Sequence, residues 1–371
     1  MARTLFALLV LAALAPAADP SADLFKPTGP VPKLEITVDK AGRDSLRREP
    51  RKYVPCTLKV GDKTWSNVAI HLKGAAGSFR QWDDRPALTL NMDKLAKGQE
   101  FMGLDKFHLN NSVQDGTLMN EILCGEMALA MGLPAARGTH VLVELNSRKV
   151  GFYVLKEGLD KTFLERHFKD ASGNLYDGGF LQDVDAPLQL DSGRPNGHKD
   201  LKALVEACRI GDLNKRFEAL DKLVDVDRLV TMAALQVVAT DWDGYCRNRN
   251  NYRVYFDPKG KAVFIPHGMD QMFQNPGEGV WHGWGGQVAR GVLETPEGKK
   301  RYIAKLKDTT EKVFVLDKLY KRIDEFVPRG KEALVTVDKG WANNWENEVK
   351  NYKQRLKERS EVLKREIPKL K

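Results

Sequence analysis

Thirteen consecutive residues, Thr240-Asp-Trp-Asp-Gly-Tyr-Cys-Arg-Asn-Arg-Asn-Asn-Tyr252, hold two carboxylates, three carboxamides and two arginines. Polar groups at that density do not make a core. The stretch falls between a predicted helix (227–239) and a predicted strand (252–256), so it reads as a loop held at both ends. A turn at 257–260 and a second strand at 262–265 lead to Ile265-Pro-His-Gly-Met-Asp270. A hairpin returns its two ends to one place, so Asp243 and Asp270 are expected as neighbours. Two carboxylates with a carboxamide form a hard-oxygen donor set suited to Mg²⁺ or Mn²⁺. Asp243 and Asn248 stand five residues apart, with an acid beyond the hairpin. Phosphoryl-transfer sites use the same order of catalytic acid, metal amide and metal acid. Asp and Asn also build turns, but turns alone do not account for so long a polar run.

A counterpart lies earlier in the chain. His71-Leu-Lys-Gly-Ala-Ala-Gly-Ser-Phe79 leaves a strand as a loop of small residues, whose backbone amides are free to approach phosphate oxygens, with Lys73 adding charge. Glu121 falls on the opposite side of a predicted helix from its apolar stripe, where it is expected to pair with Lys73 or Arg85.

The elements that must position these groups divide the chain. Alternation of apolar and polar residues predicts strands at 34–38, 54–60, 68–72, 87–90 and 106–109. A helix over 117–131, started by Asp115 and stopped by Gly132 and Pro134, precedes strands at 140–144 and 151–155. Beyond Glu157 helical patterns dominate, at 161–168, 199–210 and 227–239, interrupted by the hairpin. From Val349 to Leu370 apolar residues recur at spacings of three, four and seven, giving an amphipathic helix with a basic, solvated face. The expected fold class is α+β, with a β-rich N-terminal lobe (about 33–156), a crossing near 155–160, and a mostly helical C-terminal lobe (about 157–371).

Residues 1–18, a basic start, a short apolar run and an Ala-Pro-Ala-Ala end, read as a cleavable secretory signal. Residues 19–32 read as a flexible leader. The expected location is therefore outside the cytoplasm, secreted or in the cell envelope. Across 371 residues, 59 Lys+Arg face 50 Asp+Glu. Much of the excess sits in the last helix, so no nucleic-acid footprint stands out. Four cysteines with no CxxC pair exclude a disulfide scaffold and the usual structural zinc spacing. Cys208 and Cys246 are the pair that export would allow to bond.

Taken in order, these stretches resemble the CotH kinase family, named for the spore coat protein H. The resemblance is carried by His71 to Phe79, Phe101-Met-Gly-Leu-Asp-Lys-Phe-His-Leu-Asn-Asn111, Leu155-Lys-Glu-Gly-Leu-Asp-Lys-Thr-Phe-Leu164 and Gly173-Asn-Leu-Tyr176. Asp241-Trp-Asp-Gly-Tyr245, Asn250-Asn-Tyr252 and Ile265 to Asp270 complete it. It implies an atypical protein-kinase-like fold of two lobes that moves the γ-phosphoryl group of ATP, with a divalent metal, to hydroxyls of an exported protein. By the resemblance Asp243 matches the catalytic acid and Asp270 the metal acid. Glu157 matches the acid at the lobe crossing beside the adenine, Lys73 and Arg85 the cations near the phosphates, and Glu121 the helix acid. For the metal amide, spacing from Asp243 favours Asn248 and adjacency to Tyr252 favours Asn251. The chain departs from the family where many members carry Trp-Asp and it carries His267-Gly268. It also departs at Arg85, where lysine is common and not interchangeable with arginine.

Two other readings compete. A catalytically silent surface or assembly module would keep the fold without turnover. A glycosidase would use Asp241, Asp243 and Asp270 as its acids, with Trp242, Trp281 and Trp284 stacking on sugar. The Trp281–Gly286 segment is expected as a loop at the cleft edge.

Overall fold

A computed structural model describes residues 19–370, so the segment 1–18, expected as a secretory signal, lies outside the described residues. The first lobe is built from β1 (Lys33–Thr37), α1 (Lys40–Arg48), β2 (Val54–Val60), β3 (Lys63–Lys73), β4 (Ala87–Asn91), β5 (Lys106–Asn110), α2 (Asn120–Ala130), β6 (Gly138–Leu145) and β7 (Arg148–Glu157). Its seven strands close into a barrel in the order β1-β2-β3-β4-β5-β7-β6. All pairs are antiparallel except the closing one, β1 against β6, which runs parallel with Leu34 opposite Val143. Alternation marks each strand but not which strand closes the sheet, so the barrel and its parallel seam were not readable from periodicity. The β6–β7 turn, Asn146-Ser147, has φ of 48° and 64°, the left-handed pair a two-residue hairpin needs. Inside the barrel pack Leu34, Ile36, Leu58, Ile70, Leu88, Phe107 and Leu155.

Two differences from expectation concern this lobe. Helix α1 was not anticipated: only Gly42 and Leu46 of its nine residues are buried, too little apolar signal for a period. Asp39 nevertheless caps it, accepting from Gly42 N at 2.6 Å. Of residues 19–32, expected as a flexible leader, the first seven pack on the first lobe. Leu24 is buried, Asp19 pairs with Arg137 at 2.5 Å, and the Arg137 guanidinium covers the Phe25 ring.

The second lobe contains α3 (Lys161–His167), β8 (Asn174–Asp177), β9 (Gln189–Ser192), α4 (Lys199–Cys208), α5 (Leu213–Leu223), α6 (Val226–Val238), α7 (Tyr245–Asn248), β10 (Tyr252–Phe256), β11 (Ala262–Pro266), α8 (Gln287–Leu293), α9 (Pro296–Val313), α10 (Leu316–Val335) and α11 (Lys339–Glu366). The expected hairpin is β10–β11, and it belongs to a four-stranded sheet ordered β11-β10-β8-β9. Every residue of α6 but Asp227 and Arg228 is buried, as befits a helix apolar nearly all round. Helix α11 buries Val349, Tyr352, Leu356 and Leu363, the face its spacing predicts. It also spans both lobes: Trp345 donates from Nε1 to Thr117 O at 2.8 Å, while Arg359 donates to the Val237 and Val238 carbonyls at the end of α6. All four cysteines are free, so Cys208 and Cys246 are not bonded.

Candidate active site

The loop 240–251 is anchored from beneath. Tyr245 is fully buried, packs on Tyr252 and Phe264 of the hairpin at 4.5 and 4.4 Å, and donates to Asp183 at 3.2 Å. Each aromatic contact is worth roughly 0.5–1.5 kcal/mol beyond area burial. Cys246 N donates to Gln236 Oε1 on α6 at 3.2 Å. Asp241 is buried and accepts from Asp243 N at 3.2 Å. Burial, then the neighbouring Asp243 charge, pushes the Asp241 carboxyl up to about 7. Asp241 is thus a support for the loop, not a group facing solvent.

Asp243 is gripped by amides. Asn248 Nδ2 donates to its Oδ1 at 2.9 Å, and Asn250 and Asn251 donate to Oδ2 at 3.1 and 2.9 Å. With two lone pairs per oxygen, Oδ2 is filled and Oδ1 keeps one free. Asp243, Asn250, Asn251 and Asp270 line one cavity of about 380 Å³ between the lobes, so the hairpin does bring its flanking acids together. Asn248 does not line it. Of the two amides left open by the sequence, Asn251 faces the cavity, and Asn248 holds Asp243.

Asp270 is placed by the other lobe: Asn120 of α2 donates to its carbonyl at 3.0 Å and to Met272 O at 3.3 Å. The Asp270 carboxyl is pushed up to about 7 by burial, then by Glu121. A carboxylate held near a second acid with so little compensation fits a cation-binding role. The donors gathered here, Asp270 and the amide oxygens of Asn250 and Asn251, are hard oxygens that fit Mg²⁺ or Mn²⁺. Among the described residues no group of three His, Cys, Asp or Glu clusters at metal-binding spacing, so amides and ligand oxygens would have to complete such a shell.

The first lobe covers this cavity with Lys73, Gly74, Ala75, Ala76 and Ser78. Gly74 and Gly77 have φ of 103° and 81°, conformations open to glycine that let the loop turn over the cleft. Lys73 donates to Asn110 Oδ1 at 2.5 Å, and Asn110 Nδ2 donates in turn to Glu121. Glu121 therefore reaches Lys73 through an amide, and its direct ion pair is with Lys156 on β7. Burial opposes the Glu121 charge, yet Lys156 and Lys73 together hold its carboxyl below the ordinary value. Burial, then Lys156, pulls the Lys73 ammonium down to about 8. Lys156 was missed because the strand was read as ending at Leu155, which left it in the crossing segment, whereas β7 runs on to Glu157. The signal available was a lysine at the inward-facing end of that strand.

Arg85 lies away from the cavity, whereas Glu157 sits at the lobe crossing where it is expected. The Arg85 guanidinium sits over the Trp341 ring of α11 at 4.4 Å and Tyr153 at 5.2 Å, and donates to Phe152 O at 2.6 Å. It lies against α11 and does not line the cavity. A planar, weakly hydrated cation suits that stacked slot, which explains arginine there. Glu157 is buried and held by Arg137 at 2.9 Å and by Arg166, so its carboxylate is committed to the lobe junction. Trp281 and Trp284 pack on each other and on Tyr302 of α9. Their segment braces the second lobe and does not line the cleft, and Asp241 is buried, which leaves Asp243 and Asp270 as the acids of that set in the cavity. At the His267-Gly268 departure, Gly268 has φ of 63°, and a Cβ there would meet Asn251 Oδ1 at 2.5 Å. A side chain there would have to push aside the amide that faces the cavity, from a left-handed backbone that favours glycine.

A family model described as CotH kinase protein matches residues 70–363. Invasin CotH3 of Rhizopus delemar is 26% identical over 264 residues, which is 62% of this chain and 43% of that relative. The chain thus spans less than half the length of this curated relative. Among solved structures, the proinflammatory kinase CtkA of Helicobacter pylori aligns with a TM-score of 0.35 and 11% identity, over 76% of this chain and 94% of its own. HipA of Shewanella oneidensis, solved with HipB and operator DNA, aligns with a TM-score of 0.35 and 14% identity, over 81% and 67%. The family match begins on β3, just before the loop that carries Lys73, and ends on the brace helix α11, taking in both walls of the cavity: the chain belongs to the CotH kinase family.

Proposed function

We propose that the protein transfers the γ-phosphoryl group of ATP to serine or threonine hydroxyls of an exported protein, with Mg²⁺ or Mn²⁺. The observation that carries this reading is the shared cavity. An amide-gripped Asp243 and a half-buried Asp270 face a lysine–glutamate–lysine network from the other lobe. Asp243 Oδ1, with its free lone pair, accepts the hydroxyl proton as the acceptor oxygen bonds to the γ-phosphorus and the bond to the β-bridging oxygen breaks, leaving ADP. Lys73 and Lys156 place positive charge beside the phosphate oxygens, and Glu121 holds both in register. Asp270 and Asn251 would hold the metal, whose part is to neutralise phosphate charge. Export is argued from residues 1–18, whose composition supports a secretory signal.

The test is Mg- or Mn-dependent ATP turnover with a casein-like acceptor. Asp243→Asn is expected to lower turnover by roughly 100-fold or more, the usual contribution of a positioned base, while keeping nucleotide binding. Asp270→Ala is expected to lose metal-dependent binding. Wild-type turnover no greater than that of Asp270→Ala sinks the phosphotransferase reading, and tight Mg–ATP binding without turnover would identify the silent module instead.

A further inference from the structure

Phe180 is the most exposed large apolar side chain among the described residues, at 55%, and it lines the same cavity as Asp243 and Asp270. Single apolar residues on a surface need no explanation. Here, however, Leu181 follows it and is also exposed, and Trp242, immediately before Asp243, is exposed as well. Three large exposed apolar side chains therefore sit on the loop of Asp243 and on a turn that shares its cavity. That turn is firmly placed. It follows β8 directly, and its two ends are tied to the residues that anchor the Asp243 loop. Gly178 N donates to Tyr252 O at 3.1 Å, the Tyr252 hydroxyl donates to Gln182 O at 3.3 Å, and Tyr245 donates to Asp183 at 3.2 Å. A Cβ on Gly178 would run into the Tyr252 ring, so turn and hairpin lie in contact. At the tip Leu181 has φ of 54°, a left-handed conformation that favours glycine or asparagine. The turn thus holds a leucine where neither the backbone nor the solvent suits it.

A fixed aromatic side chain left uncovered in the free protein has the character of a binding anchor, because it loses little freedom when a partner covers it. The neighbouring acid says which partner. A hydroxyl presented to Asp243 Oδ1 draws its chain neighbours past the cavity wall at about 3.3 Å per residue, within reach of the Phe180 ring. We infer that Phe180, with Leu181 beside it, is the specificity element for the acceptor. It covers an aliphatic or aromatic side chain one or two residues from the hydroxyl, in an extended segment of the substrate protein. The inference rests on the phosphotransferase reading for the hydroxyl, but not for the docking of an apolar segment.

Labelled peptides with one serine in a Gly–Ala background, carrying a leucine one or two residues to either side, test this against the parent peptide without leucine. With saturating Mg–ATP, one leucine position is expected to raise kcat/KM roughly tenfold over the parent, the effect of covering one aliphatic side chain. Phe180→Ala is expected to bring that ratio close to one, and Phe180→Leu to restore most of it, a rescue that a merely structural role would not produce. The same peptides with alanine in place of serine, followed by fluorescence anisotropy, need no turnover. Wild type is expected to hold the leucine peptide roughly tenfold tighter than Phe180→Ala does. Failure of the kinase reading then shows as absent turnover with this binding difference intact. Equal kcat/KM for leucine and parent peptides, or in the absence of turnover equal binding of the two, overturns the anchor. A raised KM for Mg–ATP in Phe180→Ala with the leucine preference unchanged assigns the ring to the nucleotide and overturns it as well.

Discussion

Both ends of the Asn110 amide are engaged, the oxygen by Lys73 and the nitrogen by Glu121, so one neutral side chain separates two ammoniums that would otherwise compete for one carboxylate. The Lys156–Glu121 pair is almost fully buried, at 7% and 5% exposure, and the balance of such a pair is fragile. Removing one partner of a buried pair costs about 3–5 kcal/mol, because the other is left uncompensated. Lys156→Met is therefore expected to destabilise the protein by about 3 kcal/mol in urea unfolding, and Glu121→Gln added to it is expected to recover much of that loss. Arg85→Met tests the opposite case. It is expected to lower stability by about 1–2 kcal/mol through lost stacking and a lost hydrogen bond, while nucleotide affinity changes less than twofold. Lys73, Asp243 and Asp270 were legible as neighbours of one cavity because each lies at a strand end or flanks the hairpin. Lys156 and Asn110 were not, because each is the residue just past a strand as its alternation was read, and a polar residue at a strand end looks the same whether it faces solvent or a cleft.

Helix α11 acts as a clasp between the lobes. Its Arg359 is fully buried and meets carbonyls of α6 and of the 276–278 segment. These include the Val238 carbonyl at the C-terminal end of α6, past the reach of the helix's own amides, and Val237 O, which also accepts from Thr240 N at 3.2 Å. A cation at that end is also favoured by the helix dipole. Burial lowers the Arg359 pKa to about 10, which leaves the guanidinium charged at neutral pH. Since α6 ends immediately before the loop of Asp241 and Asp243, Arg359→Met is expected to do two things. It should destabilise the fold by about 2–4 kcal/mol, through orphaned carbonyls, and lower turnover further than its effect on the folded fraction explains. Comparison of turnover per folded molecule with a thermal melt checks this. The periodicity of α11 was readable, but Arg359 counted there among the charges of a wet face. In sequence a charged residue at a helical position carries no mark of what docks over it.

At the scale of the whole molecule the lobes meet around His140. It is buried, stacks on Phe152 at 4.7 Å, meets Phe326 of α10 edge-on at 5.2 Å, and donates from Nε2 to Leu118 O at 2.8 Å. Burial lowers its pKa from 6.5 to about 4. Between those values the unfolded chain binds one more proton than the folded chain. Stability from this residue is complete above pH 6.5, falls as the pH drops towards 4, and is level below that. The loss from His140 alone is on the order of 3 kcal/mol. His140→Gln, which retains a donor for Leu118 O, is expected to reduce the slope of stability against pH by about one proton over that range, as measured by urea unfolding at successive pH values.

Patterning alone determined the local elements and the order of the chemistry along the chain: the β-rich first half, the helical second half, the hairpin between two acids and the small-residue loop after Lys73. Those follow from strand and helix periods and from turn residues, which act over a few positions. Closure of the barrel through the parallel β1–β6 seam, the choice of Asn251 over Asn248 as the amide facing the cavity, and the exchange of Arg85 for Lys156 were decided only in three dimensions. Each depends on which side chain a distant element covers. Trp341 takes Arg85, Glu121 takes Lys156, and Asn251 closes the space above Gly268. Such pairings form only once packing has brought together residues tens to hundreds of positions apart, and no local pattern in the chain encodes them.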